Sequence, residues 1–151
     1  MKRSKHFYSL AIAILFLVVA IASTANKKSM TVEHKQVAPD FPGYKGVLLI
    51  REGRKNWTKY AKRYFTEEYK GQVEVVAERD MNSGKYVDKA MYRFAILQNI
   101  SFHDINGHLS SSESVTMYDR QTEKYYSTQS GSNFGDLLKT YAQVLEELRG
   151  K

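Results

Sequence analysis

Two histidines and an aspartate flank an Asn-Gly pair and could do chemistry together. His103 and Asp104 precede Asn106-Gly107, and His108 follows it. Imidazole and carboxylate groups can bind a transition metal or form an acid–base pair if a turn brings them together. In a hairpin that turns at Asn106-Gly107, however, residue 103 would pair with residue 110 rather than with His108. Two interpretations follow: a metal-assisted or hydrolytic enzyme that uses these three residues, or two solvated histidines in a polar turn.

A basic cluster follows the first apolar run of the domain and continues along the next amphipathic segment. Arg51, Arg54 and Lys55 lie where a strand would end and a helix begin, and Gly53 would let the backbone approach an anion. Such a site would hold a phosphate, anionic lipid headgroups near a membrane anchor, or a partner. The alternative is an ordinary solvated face, since acidic residues dilute the charge. The other charged residues of this stretch are Glu52, Lys59, Lys62, Arg63, Glu67 and Glu68.

Composition and motifs exclude several kinds of chemistry. Cysteine is absent, so the chain has no disulfide, no thiolate metal ligand and no cysteine nucleophile. Neither a phosphate-binding glycine loop nor a dinucleotide-binding fingerprint occurs, and no serine stands in a nucleophile motif. No cofactor is therefore predicted.

The net charge of +7 does not by itself indicate nucleic-acid binding. Three basic residues, Lys2, Arg3 and Lys5, belong to an N-terminal segment without acidic residues. Removing them from the 23 Lys and Arg leaves 20 against 16 Asp and Glu. Binding to a phosphate backbone depends on a clear basic patch, so we expect no nucleic-acid partner.

Residues 1–25 are typical of a signal peptide or a transmembrane anchor. After the basic start, an unbroken apolar run extends from Leu10 to Ala22. Residues 7–25 would span about 28 Å as a helix, close to a hydrocarbon core of about 30 Å. Ala20-Ile21-Ala22 also offers a small-residue cleavage site. Both possibilities predict an extracytoplasmic domain, either anchored by a single pass with its N-terminus inside, or periplasmic or secreted after cleavage.

Residues 26–44 are predicted to be a polar tether, and residues 45–151 a small globular domain. The tether interpretation depends on the lack of hydrophobic periodicity and on the turn cluster Pro39-Asp40-Phe41-Pro42-Gly43. The remaining length is enough to bury a two-layer core without disulfides.

The domain begins with a strand–helix–strand pattern. Val47-Leu48-Leu49-Ile50 is typical of a strand covered on both faces, because four apolar residues follow one another. Residues 56–70 carry apolar side chains at helical spacing, and residues 73–77 alternate as a strand does. Residues 79–91 show no clear pattern. The apolar face of the predicted helix consists of Trp57, Tyr60, Ala61, Tyr64 and Phe65.

A long hairpin, a short strand and a second helix complete the pattern. Residues 92–102 alternate with a period of two, and Asn106-Gly107 is a strong hairpin signal. A short strand is predicted at Tyr125-Tyr126. Asn133 with Asp136 resembles a capping pair at the start of the last helix. The apolar stripe of that helix consists of Phe134, Leu137, Leu138, Tyr141, Leu145 and Leu148.

We therefore predict an α/β (α+β) domain with a mixed sheet of four to five strands and two main helices. This order, with the helix-to-strand passage from Glu67 to Val76, resembles the thioredoxin-like superfamily over residues 45–149. The CxxC motif of that superfamily would fall between Glu52 and Trp57, where no cysteine occurs, and its cis-proline is missing before residue 92. The resemblance therefore implies an inherited scaffold without redox activity.

These observations together predict a non-enzymatic domain that binds a protein partner outside the cytoplasm, and contacts the membrane through residues 7–25 if that segment is not cleaved. The alternative is the enzyme that uses His103, Asp104 and His108. The sequence leaves the identity of the partner and the oligomeric state open.

Overall fold

A computed structural model describes residues 27–130 and 133–151. The predicted signal peptide or membrane anchor, residues 1–25, lies outside these described residues. Within them, no helix combines the length and the apolar character needed to cross a membrane.

The described residues form five strands and two long helices, and residues 27–29 are also helical. The strand order in the sheet is β2-β1-β3-β4-β5. β2 and β3 run parallel to β1, whereas β4 is antiparallel to both β3 and β5. The predicted mixed α/β architecture is therefore confirmed. In chain order the elements are β1 (Leu48–Arg51), α1 (Lys55–Glu68), β2 (Val73–Val76), β3 (Phe94–Ile105), β4 (His108–Asp119), β5 (Lys124–Ser127) and α2 (Phe134–Arg149).

Both long helices pack on one face of the sheet, which we call the helix face. Alternate residues of the central strands point to it because side chains alternate across a strand. The buried side chains of α1 lie within the predicted apolar face, whereas Tyr60 on the same helix is 37% exposed. Asn133 accepts hydrogen bonds from the backbone N–H groups of Gly135 and Asp136, which confirms the predicted cap of α2. The core of the helix face includes Leu48, Ile50, Phe94, Ile96, Trp57, Ala61, Phe65, Leu138, Tyr141 and Leu145.

Residues 26–44 were predicted to be a polar tether, but the described part of this segment, residues 27–44, packs into the domain. The Phe41 ring meets Phe94 edge to face with centroids 5.3 Å apart, and the Tyr141 hydroxyl donates to the carbonyl of Gln36 over 2.8 Å. Hydrophobic periodicity identifies regular elements only, so it does not detect an irregular segment that buries several apolar residues. Those buried apolar residues are Met30, Val37, Ala38 and Phe41.

An ion-pair cluster attaches this N-terminal segment to the sheet. Arg93 donates to both carboxylate oxygens of Asp119, over 3.0 and 2.8 Å, and also contacts Asp40. Burial raises the pKa of the Asp119 carboxyl, but hydrogen bonds from Arg93, Thr122 and the amide of Gln121 outweigh it and leave this pKa below its usual range.

Replacing Asp119 by Asn should make the protein less sensitive to acid. A depressed carboxyl pKa stabilises the fold above the unfolded-state pKa of about 3.9, and this stabilisation disappears as pH falls through the lower folded-state pKa. The difference in unfolding free energy between wild type and Asp119→Asn should therefore be largest near neutral pH and shrink below about pH 4. Urea titrations at several pH values measure it. A difference that stays constant into strong acid would contradict this assignment.

The other face of the sheet, which we call the loop face, is covered by residues 77–93. Arg120 lies beneath this irregular segment and is 1% exposed. Its guanidinium donates to the backbone carbonyls of Met81 at 2.6 Å and Tyr86 at 2.7 Å, and also to that of Tyr92. Burial lowers the pKa of Arg120. Backbone acceptors thus take the place that a carboxylate usually takes beside a buried arginine.

β3 and β4 continue beyond the neighbouring strands as a two-stranded arm. Among the described residues, β1 pairs with β3 at Ala95 and Ile96 alone, whereas β3 and β4 stay in continuous register to the turn. Asn106 and Gly107 have φ values of 55° and 80°, as a two-residue hairpin turn requires. We call residues 99–114 the arm. Its strands extend about 23 Å at 3.3 Å per residue.

Candidate functional site

The arm and the start of both long helices lie at the same end of the domain, which we call the arm end. The Trp57 ring in the first turn of α1 lies 5.4 Å from the Phe134 ring at the first residue of α2. The described chain begins at the opposite end, where Lys27 pairs with Glu147 near the end of α2. The two ends are separated by the length of α2, about 24 Å at 1.5 Å per residue.

The structure separates the predicted basic cluster into two parts. Arg51 is half-buried on the loop face, and its guanidinium donates to Glu78 over 2.8 Å. Arg54 and Lys55 are exposed at the start of α1 and line a groove on the helix face. Consecutive strand residues point to opposite faces of a sheet. Arg51, the last residue of β1, thus points to the loop face and lies apart from Arg54 and Lys55.

The backbone at the start of α1 makes internal hydrogen bonds where an anion was expected. The helix begins at Lys55 with Arg54 as its N-cap residue. The N–H of Gly53 donates to the Thr58 hydroxyl over 3.0 Å, and the N–H of Arg54 donates to the Gln98 side-chain oxygen over 3.2 Å. Two amide groups expected to bind a phosphate therefore already have acceptors.

Gly53 is needed for packing. A Cβ at this position would lie 2.4 Å from a ring carbon of Trp57 and 2.8 Å from the side-chain oxygen of Gln98. The indole N–H of Trp57 in turn donates to the carbonyl of Arg51 over 2.9 Å. The close approach of a buried tryptophan therefore accounts for this glycine without a ligand.

The basic cluster lies far from the point where the described chain begins. Arg54 and Lys55 lie at the arm end, whereas Lys27, where the chain enters the domain, lies at the other end.

The groove at the arm end has a volume of about 420 Å³ and combines cationic, aromatic and amide groups. Its floor includes Gln98 and Glu113, whose side chains share a hydrogen bond of 3.2 Å. Exposed side chains of α1 form one wall. A small number of polar groups among aromatic rings is typical of a recognition site. The lining residues are Arg54, Lys55, Asn56, Trp57, Tyr60, Gln98, Glu113 and Phe134.

The arm carries two exposed apolar side chains on the same side as the groove. Phe102 is 58% exposed and Leu109 is 77% exposed. Leu109 pairs with Asp104 across the arm, so alternation places Phe102, Asp104 and Leu109 on one face. The same alternation includes Gln98, so this face continues the floor of the groove. The period-two pattern predicted the strand correctly but could not predict that none of the other described elements covers its end.

The histidines lie on the opposite face of the arm from Asp104. His103 pairs with Ser110, as the hairpin pattern predicted, and its ring lies 3.1 Å from the Ser112 hydroxyl. The Asp104 carboxylate accepts the N–H of Gly107 over 2.8 Å and thereby closes the turn. In the part of the chain that the structure describes, no three His, Asp or Glu side chains are close enough to hold a metal. His103, Asp104 and His108, the three residues of the enzyme hypothesis, therefore do not come together at one site.

Comparisons with protein-family models, with curated proteins and with solved structures found no match to this chain. The resemblance to the thioredoxin-like superfamily therefore stays a prediction.

Proposed function

We propose that this protein is an exported, non-enzymatic binding domain that presents its arm end to a protein partner outside the cytoplasm. The observation that carries the proposal is the exposure of Phe102 and Leu109 on one face of a projecting arm, beside a groove with basic and aromatic walls. Aromatic side chains are enriched in protein interfaces, and here an exposed phenylalanine shares one face with an exposed leucine.

The position of this surface also supports a binding role. The arm end is opposite the point where the chain enters the domain. An anchor formed by residues 7–25 would therefore leave the arm pointing away from the membrane, where it is free to meet a partner. A cleaved signal would leave the same surface accessible on a released domain.

Export is the first testable part of this proposal. A reporter that is active only outside the cytoplasm, fused after Lys151, should be active, because the apolar run from Leu10 to Ala22 is sufficient for membrane targeting. Deleting residues 1–25 should abolish the signal. Activity from a matched reporter that works only in the cytoplasm would instead contradict export.

Binding at the arm end is tested by photocrosslinking in the cell. A photoreactive amino acid at Leu109 should give a protein adduct on illumination, because this side chain would lie in the interface. The same amino acid at Val87, which is 63% exposed in the segment that covers the loop face, is the matched control. Adducts at Leu109 and none at Val87 would support the proposal, whereas equal yields at the two positions would contradict a specific site.

A further inference from the structure

We infer that the protein partner is a second copy of this chain. The two arms would pack face to face in antiparallel directions, so that the tip of each arm enters the groove of the other copy. This inference rests on the proposed binding role of the arm end and names its partner.

Charge complementarity within one chain is the first argument. Asp104 lies near the tip of the arm, on the face that continues the groove. Arg54 and Lys55 line the groove at the base of the arm and are both exposed. The floor of this groove also holds Glu113, which accepts a hydrogen bond from Gln98. Each chain therefore offers an acidic tip and two exposed cations at the groove, and a second copy supplies the opposite charge to the tip and to these cations.

The distribution of apolar side chains is the second argument. Phe102 lies midway between the tip and the base, and Leu109 lies beside Asp104 at the tip, on the same face. In an antiparallel pair of arms, Phe102 would pack against Phe102 of the other copy. Leu109 would reach the groove of the other copy, where the aromatic rings of Tyr60 and Phe134 would border it. Apolar contacts in the middle with charged pairs at both ends match the usual arrangement of an interface, with an apolar core and a polar rim.

The dimensions of the arm allow both ends to engage at once. The groove floor at Gln98 and Glu113 marks the base of the arm, and the tip lies about 23 Å beyond it. When two arms of equal length run in opposite directions, each tip meets the base of the other. The result is an isologous two-fold interface, in which every contact occurs twice.

This dimer has a consequence for the membrane. Because the arms run in opposite directions, the two Lys27 residues would lie at the far ends of the dimer. That arrangement suits domains released by signal cleavage, or two copies anchored in facing membranes. Two anchors in the same membrane would not fit it.

Charge reversal in full-length chains tests the inference. Two differently tagged copies are expressed together, and the amount that co-purifies is measured. Wild-type copies should co-purify. When both copies carry Asp104→Arg, the yield should fall at least about tenfold, because like charges then face each other. The same loss is expected when both copies carry Arg54→Glu and Lys55→Glu. Lys62→Glu with Arg63→Glu, further along α1, should leave the yield unchanged.

The decisive measurement pairs the two reversed variants. In this mixed pair, one copy carries Asp104→Arg and the other carries Arg54→Glu and Lys55→Glu. Each tip then again meets a groove of opposite charge, so co-purification should return. A variant that had merely misfolded could not be restored in this way. Absence of co-purification between wild-type copies, or no recovery in the mixed pair, would overturn the dimer. An adduct to a different protein at Leu109 would also overturn it, while leaving the proposed binding function intact.

Discussion

Replacing Arg120 by Met should lower the free energy of unfolding by about 3–5 kcal/mol. The substitution removes the donor for three backbone carbonyls, those of Met81, Tyr86 and Tyr92. Methionine fills a similar volume but donates no hydrogen bond, so these carbonyls lose their partner in a buried setting. Each buried polar group without a partner costs about 1–3 kcal/mol, and partial entry of water should recover some of this. Urea denaturation followed by tryptophan fluorescence measures the change.

A second substitution separates charge from geometry at this position. Arg120→Lys keeps the positive charge but lacks the planar guanidinium that reaches all three carbonyls. Its free energy of unfolding should therefore lie between those of wild type and Arg120→Met. Arg63→Met is the control, because Arg63 is exposed and contacts side chains of its own helix, the carboxylate of Glu67 and the ring of Tyr64. Hydrogen exchange should quicken across residues 77–93 in the Arg120 variants. A stability of Arg120→Met equal to that of the control would contradict the structural role of Arg120.

Replacing Phe41 by Ala should destabilise the fold by about 3–5 kcal/mol, the usual cost of truncating a buried phenylalanine. Phe41 is fully buried against Phe94, although it lies in the segment that the sequence predicts to be a tether. Phe102→Ala is a matched control with the same chemical change, since Phe102 is 58% exposed on the arm. Because the exposed Phe102 ring buries little apolar area, the free energy of unfolding of that variant should stay within about 1 kcal/mol of wild type.

Deletion gives a stronger form of the same test. A chain without residues 27–44 should lose cooperative unfolding, because it loses every buried apolar residue of the N-terminal segment together with the contact of Asp40 with Arg93. Calorimetry or urea denaturation would detect the loss. A truncated chain with a sharp transition close to that of the intact protein would support the tether interpretation instead.

The regular elements could be predicted from the sequence because each depends on a local property. Apolar spacing of 3.6 residues identified both long helices, and a period of two identified β2 and β3, because these periods follow from backbone geometry alone. A continuous apolar run identified β1. The register of the hairpin was also local, since Asn106-Gly107 adopts the positive φ values that a two-residue turn requires. These elements sufficed to predict a mixed α/β sheet.

Only the tertiary structure decided which residues meet. Arg51 and Arg54 are three positions apart in the sequence, yet one pairs with Glu78 on the loop face and the other lines the groove. His103 and Asp104 are adjacent but lie on opposite faces of the arm. Alternation along a strand separates such neighbours, and a short spacing in the sequence therefore does not bring side chains together.

Burial and exposure were likewise decided by packing rather than by pattern. Phe41 lies in an aperiodic segment and is fully buried, whereas Phe102 belongs to a regular apolar alternation and is largely exposed. Arg120 gave no sequence signal, because its acceptors are backbone carbonyls that every residue has. The sequence by itself determined the elements, their order and the turn at the tip of the arm. Which side chains are covered depends on elements distant in the chain, and this only their three-dimensional packing decides.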